Sequence, residues 1–471
     1  MTIRKISVTS GEVSDDANIS TGAFDLPAGT TAQRPASPTS GNLRYNTDLE
    51  TVELYDGTGW GKVSPLTPTI SSITGSIING IATNLTLAGT NFLTANLVVT
   101  FTPSGGSAST ATVTPSSNTA ATVAVPSAIY GQSASTVIAV TVTNSDSRTS
   151  TATNMTVIAP PSGGTLLTDG AERTHIFKAT STNFVVPTGL TLSNVEYLVV
   201  AGGGGGGGSF RGGGGGAGGL LTSVTGDTPS SNSGSVQSKL TMTAGTYTMN
   251  VGAGGTGQQY NVGTQGGNSS IVNPSSTALV TAIGGGYGSH YGNNAGGSGG
   301  SGGGSGGTGA SPYVSGLPGS GTSGQGNDGG RGLGGQSVAQ CGGGGGGAGA
   351  AGIAGGSGGT AGDGGNGVIS TIITTTEANA NNVGEVIGSD VYFAGGGGAG
   401  AYGTGNNAPI GGAGGGAEGY HGDTSTSGYS NGNNASHPNT GGGGGGSSGT
   451  SSTLGTGGNG ADGVIIIRYT L

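Results

Sequence analysis

The first part of the chain alternates apolar and polar residues in short runs, the pattern of half-buried β-strands. Leu43 and Tyr45 form one such run, and Val52 and Leu54 form the next, with a polar turn at residues 46–50 between them. We therefore predict a β-hairpin, which by itself is marginally stable in water. It therefore needs further copies of the chain or a partner to cover its apolar side chains, and we predict a homotrimer. The residues assigned to this attachment and oligomerisation surface are Leu43, Tyr45, Tyr55 and Trp60.

Residues 69–158 repeat the short alternating pattern at a spacing of about ten residues, with polar turns between the runs. Nearly all of these residues are Thr, Ser, Val, Ile, Ala or Asn. Such a series of short strands is typical of an immunoglobulin-like β-sandwich. The predicted strands lie at 85–87, 97–101, 111–113, 121–125 and 137–142.

The pattern changes again after the proline-rich joints at 65–68 and 160–164. Apolar runs continue to residue 283, are then sparse among glycine tracts, and end in the β-branched run 464–470. We predict a β platform built from residues 165–283 together with the final strand. The predicted fold class is all-β, with domains at 1–64, 65–160 and 161–471.

Glycine dominates the last domain: 17 of the 112 glycines precede residue 201, and 95 follow in the last 271 positions. Such a composition fits either a disordered linker or glycine chains packed against each other. The apolar strings between the tracts and the terminal strand favour order. Polyglycine adopts an extended helix with three residues per turn whose amides and carbonyls all point outward and need partners. We predict a bundle of polyglycine II rods, with the intervening segments as turns at its ends. The predicted rods are 202–208, 212–216, 342–347, 395–398 and 441–446.

Charged residues make up only 7% of the chain, and its net charge is −9. The sequence has no Lys/Arg run, so we expect neither nucleic acid nor an anionic membrane surface as a partner. It has no apolar stretch approaching the ~20 residues that span a bilayer, and no secretory signal is recognisable. The single Cys341 cannot form an intrachain disulfide, and we expect it to be inert.

The segments between the glycine tracts carry tyrosines and histidines among Asn and Ser residues. Tyrosine faces stack on sugar rings, and these polar side chains bind hydroxyls, so the mixture suits recognition of a glycan or a protein. The alternative is that the aromatic rings only fill gaps at the ends of the bundle. The candidate receptor-binding residues are Tyr260, Tyr287, His290, Tyr291, Tyr313, Tyr402, Tyr420, His421, Tyr429 and His437.

Two further patterns, a calcium-motif match and a set of dispersed carboxylates, do not predict a metal site or a catalytic site. Residues 457–464 match one copy of a calcium-binding nonapeptide, but that motif binds through stacked turns. Dispersed carboxylates lack the pairing that glycan hydrolysis requires. We therefore expect no enzymatic activity, no catalytic residue, no metal and no cofactor. The carboxylates concerned are Asp363, Glu377, Glu385 and Asp390.

Three resemblances extend this interpretation. The strings RP at 34–35, GNLRYN at 41–46 and YDGTGW at 55–60 resemble a small module of phage fibre proteins, which is commonly trimeric. The strings PTISSI at 68–73, LAGTNF at 87–92, VP at 125–126 and VTN at 142–144 resemble an IPT/TIG immunoglobulin-like domain. The strings FVVP at 184–187, VEYLVVAGGGGGGG at 195–208 and GVIIIRY at 463–469 resemble the glycine-rich tips of phage tail fibres and adhesins, which bind host receptors through loops between tracts.

These resemblances imply a phage virion fibre protein, made in the host cytoplasm and exposed on the particle. We expect its partners to be tail or baseplate proteins and a host-surface receptor, either a glycan or an outer-membrane protein. The alternatives are a purely structural head, neck or baseplate decoration and, with less support, a depolymerase.

Overall fold

The structure of the chain is a computed structural model. It describes residues 26–63, 66–93, 95–178, 182–227, 230–292, 295–308, 316–334, 340–356, 359–402, 408–422, 431–449 and 454–471. The side chains of residues 402, 421 and 422 are outside this description.

The N-terminal part forms a four-stranded sheet with the order β1-β2-β3-β4. Its strands are Ala28–Gly29 (β1), Leu43–Asn46 (β2), Thr51–Tyr55 (β3) and Trp60–Lys62 (β4), and a 3-10 helix spans Thr31–Gln33. The predicted hairpin is therefore confirmed as β2 and β3, which pair antiparallel.

The two faces of this sheet differ in polarity. The covered face is polar: Glu53 is 1% exposed and accepts hydrogen bonds from Arg34 at 2.6 Å and Asn46 at 3.0 Å. The bond from Arg34 holds the pKa of Glu53 below its ordinary value. Leu43 and Tyr45 lie on the opposite face and are 44% and 38% exposed. Of the four residues that the sequence assigned to oligomerisation, Leu43 and Tyr45 are thus uncovered in the single chain. Tyr55 and Trp60 instead lie half-buried on the Glu53 face, with ring centroids 5.5 Å apart.

Residues 69–158 form two sheets, of three strands (β10-β7-β5) and five strands (β6-β12-β11-β8-β9), around one hydrophobic core. Alternate residues of each strand point inward, so Leu97, Val99 and Phe101 are all 0% exposed. The strands are Thr69–Thr74 (β5), Ile77–Ile78 (β6), Asn84–Thr90 (β7), Leu97–Pro103 (β8), Ser109–Val113 (β9), Ala120–Ala124 (β10), Val137–Thr143 (β11) and Thr153–Ile158 (β12), and the short helix α1 spans Ser127–Tyr130.

An eight-stranded sheet forms the platform from which the glycine segments extend. Its order is β13-β14-β26-β15-β17-β18-β19, with β16 paired to β15. Its strands are Thr165–Asp169 (β13), Glu172–Phe177 (β14), Thr182–Val200 (β15), Leu220–Thr222 (β16), Leu240–Asn250 (β17), Ser269–Val272 (β18), Ala278–Ala282 (β19) and Val464–Thr470 (β26). The predicted platform is confirmed.

The platform is buried on both faces, which explains the unbroken apolar run of β26. Ile465 and Ile467 belong to one core, while Val464 and Ile466 belong to another on the opposite face. A small sheet of the order β21-β23-β22 and helix α2 cover the second face. The remaining elements are Gln340–Cys341 (β20), Val368–Ile369 (β21), Thr375–Asn381 (α2), Glu385–Ile387 (β22), Asp390–Phe393 (β23), Ala401–Tyr402 (β24) and His421–Gly422 (β25).

Helix α2 was not predicted, although its start carries a sequence signal. Thr374 accepts a hydrogen bond from the Glu377 amide, and Glu377 accepts one in return from the Thr374 amide. This is a capping box, which the spacing of Thr374 and Glu377 encodes.

The glycine tracts are extended rods that bond to one another through the main chain. Along the rod 202–208, three successive amides donate to three different neighbouring rods. The fourth amide donates to the same rod as the first, because the helix has three residues per turn. The bonds, of 2.8–3.0 Å, are Gly202 to Gly267, Gly203 to Ala461, Gly204 to Gly216, Gly205 to Thr264, Gly206 to Gly458 and Gly207 to Gly213. The predicted polyglycine II bundle is confirmed.

Three further rods contact the same glycines from the directions in which side chains would point. A Cβ on Gly205 would collide with the Thr256 carbonyl oxygen, and one on Gly206 with that of Gly445. On Gly207 it would collide with the Ser289 carbonyl oxygen. The rod 202–208 is thus enclosed by six others. Glycine is required there because the neighbouring backbones occupy the space of a Cβ.

One part of the prediction was wrong: many segments between the longest tracts are themselves rods and not turns. Their sequences contain few consecutive glycines, because an outer rod has faces on which side chains fit. These additional rods include 252–257, 261–267, 284–290, 326–332, 361–367, 409–413, 415–419 and 455–462.

Short polar side chains complete the hydrogen bonding of the outer rods. Asn459 Oδ1 accepts from the Gly257 amide at 2.9 Å, and Asp462 Oδ1 accepts from the Gly254 amide at 2.8 Å. These residues are three apart, so both point to the same neighbouring rod. Asp363 and Asn366 repeat the device toward the amides of residues 410 and 413. The stretch 457–464, which matched a calcium motif, therefore has a defined role in the bundle.

Among the described residues, no helix has both the length and the apolar character needed to cross a membrane.

Candidate binding surface at the distal end of the glycine rods

The rods have one end at the platform and the other far from it. The rod 202–208 follows β15 directly, so residue 208 marks the end away from the platform. Main-chain bonds place the ends of the neighbouring rods beside it, including Gly208 to Asn261 and Ser209 to Gly455. We call this surface the distal end. Its described residues are 208–211, 258–262, 289–292, 306–308, 332–334, 340–342, 400–402, 420–422, 447–449 and 454–456.

The turn 209–211 lies in the middle of the distal end, because it joins the enclosed rod 202–208 to the rod 212–218. Serine side chains fix this turn. The Ser447 hydroxyl, which has one proton to donate, lies within hydrogen-bond distance of the carbonyl oxygens of Ser209 at 2.9 Å and Gly455 at 3.0 Å, and Ser447 is 0% exposed. The central turn is therefore held by the bundle and does not depend on its own side chains for its position.

Three side chains of the distal end form a compact group. The rings of Phe210 and Tyr291 meet edge to face with centroids 5.4 Å apart. The Arg211 guanidinium carbon lies 5.1 Å from the centroid of the Tyr291 ring, a cation–π geometry. All three residues are partly exposed.

His290 lies next to this group. Burial lowers the pKa of its imidazole, so the neutral form dominates at neutral pH. The preceding Ser289 is buried, and its Oγ accepts a hydrogen bond from the Gly306 amide at 2.6 Å. His290 and Tyr291 are thus positioned by the end of the rod 284–290.

The structure brings most of the predicted receptor-binding residues to one surface. Tyr260 and Tyr420 are exposed there, at 68% and 39%. Residues 402 and 421 lie in the paired strands β24 and β25 at the same end. Tyr313 and Tyr429 are outside the described residues.

Two predicted residues lie elsewhere. Tyr287 is within the rod 284–290, where its ring packs beside Gly297. His437 is near the platform, with Nδ1 3.8 Å from Glu385 Oε1. Its carbonyl accepts a hydrogen bond from Thr440, just before the rod 441–447 begins.

The prediction from sequence missed Phe210 and Arg211. A signal was present: these residues form the shortest interruption between two long glycine tracts. A short connection between two adjacent, fully enclosed rods must lie at the centre of an end of the bundle.

The scattered carboxylates have separate structural contacts. Glu385 accepts hydrogen bonds from the amides of Gly414 at 2.7 Å and Gly415 at 2.8 Å, while Asp363 and Glu377 have the roles described above. No group of three or more His, Cys, Asp or Glu that could hold a metal ion occurs in the described part of the chain. Burial raises the pKa of the Cys341 thiol, which disfavours the reactive thiolate.

The fold defines a class of protein: an all-β chain whose C-terminal part is a bundle of glycine rods on a β platform. A family model described as a glycine-rich domain matches residues 177–470 of the 471-residue chain. The chain therefore belongs to this glycine-rich domain family. Neither a curated protein nor a solved structure matches it.

Proposed function

We propose that the protein is a phage virion fibre protein, in the first place a tail fibre, whose distal end binds a host cell-surface receptor. The observation that carries this proposal is that the exposed tyrosines of the described bundle lie at its distal end, while Tyr287 lies within a rod. The interior of the bundle is glycine, whereas Tyr260, Tyr291 and Tyr420 lie together at the distal end, away from the platform. Exposed tyrosines on fixed supports are typical of recognition surfaces.

The remainder of the chain fits a connecting role in such a fibre. The sandwich, which we propose to be of the IPT/TIG type, contacts the platform through β15, where the Gly189 carbonyl accepts a hydrogen bond from Ser76 at 3.4 Å. The N-terminal sheet has an uncovered apolar face that includes Leu43 and Tyr45. Trimerisation through this face, with attachment to tail or baseplate proteins, would cover it.

The test is binding of the purified full-length protein to a panel of bacterial strains, measured by fluorescence of a labelled sample. The variant carries Tyr260→Ala, Tyr291→Ala and Tyr420→Ala, and the control carries Leu166→Ala and Leu279→Ala, at exposed platform residues. We expect the wild type and the control to bind a subset of strains and the tyrosine variant to lose about tenfold or more in affinity.

Equal binding by the variant and the wild type would contradict the distal-end assignment. Absence of binding to every strain, from a protein that unfolds cooperatively, would instead favour the second candidate. That candidate is a structural head, neck or baseplate decoration. The uniform main-chain bonding of the rods favours it, because these bonds make the bundle stiff whether or not it binds a receptor.

A further inference from the structure

We propose that the turn 209–211 forms, with Tyr291, a subsite for an acidic polysaccharide, in which Arg211 binds a carboxylate or phosphate group of the sugar chain. This inference rests on the proposed function and specifies the class of receptor. Neither Phe210 nor Arg211 was among the residues that the sequence assigned to binding.

The first argument is position. The rods 202–208 and 212–218 are both enclosed, so the turn between them lies in the middle of the distal end and the loops at 258–262, 289–292 and 447–449 surround it. A ligand that spans several of these loops must cross Arg211.

The second argument is preorganisation. The Arg211 carbonyl accepts a hydrogen bond from the Gly307 amide at 3.1 Å, and residue 211 forms a β-bridge with Ser448. Its guanidinium stacks on Tyr291, which Phe210 supports from the side. A guanidinium held in this way loses little entropy on binding, and its planar fork matches the two oxygens of a carboxylate or phosphate.

The third argument is charge. The chain has 21 acidic and 12 basic residues, yet none of the described residues of the distal end is Asp or Glu. Arg211 is the basic residue within that described set, and the exposed Arg331 lies directly before residues 332–334 at the same end. An anionic polymer is therefore repelled by the body of the protein and attracted to the distal end, which directs its encounter.

The fourth argument concerns the kind of anion. The exposed large hydrophobic side chains of the described distal end are those of Tyr260 and Tyr420, and none of them is aliphatic. The amide side chain of Gln259 is exposed beside Tyr260. Protein interfaces centre on well-packed apolar anchors, whereas aromatic faces with amides and hydroxyls suit sugar rings. The surface therefore favours a polysaccharide over a protein loop.

The experiment measures binding of the full-length protein to immobilised acidic polysaccharides by biolayer interferometry. The probes are polygalacturonate, polysialic acid and a phosphomannan, each beside a carboxyl-reduced or dephosphorylated counterpart. We expect at least one acidic probe to bind about tenfold or more tightly than its neutral counterpart, with affinity that falls as salt rises. The carboxylate-bearing and phosphate-bearing probes distinguish the two possible sources of the anion.

Three variants locate the effect. Arg211→Gln should weaken binding about tenfold or more, and Arg211→Lys should weaken it less, because lysine keeps the charge but not the planar fork. Arg148→Gln removes one positive charge from the exposed surface of the sandwich and should leave binding unchanged. The melting temperature of each variant shows whether it is folded.

Two outcomes would overturn the inference. The first is strain binding by the wild type that none of the acidic polysaccharides reproduces or competes with, which would leave the proposed receptor-binding function in place. The second is equal binding by Arg211→Gln, Arg211→Lys and the wild type. If the wild type binds neither strains nor polysaccharides, the proposed function fails together with the inference.

Discussion

The β-sandwich and the glycine bundle achieve order in opposite ways. In the sandwich, Leu97, Val99 and Phe101 fill the space between two sheets, and stability comes mainly from apolar burial. In the bundle, the space between rods is filled by backbone, and order comes from main-chain hydrogen bonds in three directions. The sandwich core therefore depends on having side chains, and the bundle interior depends on having none.

The difference also determines how each region responds to substitution. When the sandwich core loses a side chain, its strands stay in place and a cavity forms. A rod that gains a methyl group has no cavity to fill, because the carbonyl oxygens of its neighbours occupy that position. Each net hydrogen bond contributes only about 0.5–1.5 kcal/mol, so the bundle relies on many bonds that form together.

The largest expected effect is that of removing a central side chain from the sandwich. Phe101 is 0% exposed, and Phe101→Ala should lower the free energy of unfolding of the sandwich by about 3–5 kcal/mol. Hydrogen exchange measured by mass spectrometry should show faster exchange in 69–158. Equal acceleration in the rods would mean that the sandwich and the bundle unfold as one unit, contrary to this prediction.

The next effect is that of adding a single methyl group to the bundle. Gly205→Ala should lower the stability of the bundle by about 3 kcal/mol, the upper part of the usual range for overpacking, since the Thr256 carbonyl cannot move without displacing its rod. Gly59→Ala is the control, because a Cβ there meets no atom within 4 Å. Differential scanning calorimetry would measure both variants. Equal melting temperatures would refute the packing argument.

The smallest effect concerns the outer rods. Asn459→Ala removes the acceptor of the Gly257 amide and should cost about 1 kcal/mol, because water replaces the lost bond at this exposed site. Asn459→Asp keeps the acceptor oxygen and should cost less. Hydrogen exchange of the Gly257 amide would report the change directly. Unaltered exchange in Asn459→Ala would show that the side chain does not contribute to the lattice.

The sequence was most informative where side chains determine the structure. Alternation identified the hairpin and the sandwich, since side-chain burial repeats every two residues in a strand. The β-branched composition of residues 464–470 identified β26. Consecutive glycines identified the enclosed rods for the same reason: nothing else fits there.

It was less informative where rods have an open face. The sequence predicts turns for segments such as 252–257 and 284–290, because their glycines are interrupted by residues that point to solvent. A spacing of three between Asn459 and Asp462 was present in the sequence, but a period of three is meaningful only once neighbouring rods are known. The distal-end cluster was half predicted: Tyr291 was identified, whereas Phe210 and Arg211 required knowledge of which rods are central.

Successive amides of each rod donate to three neighbouring rods in rotation, and this has a genetic consequence. Insertion or deletion of three residues, or nine nucleotides, lengthens or shortens a rod by one turn and leaves every later amide facing the neighbour it faced before. A change of one or two residues rotates the remainder of the rod by a third or two thirds of a turn and sends each amide to the wrong neighbour. Glycine codon tracts change length readily, so descendants of this gene should retain rod lengths that differ by multiples of three, while the loops of the distal end vary freely in length.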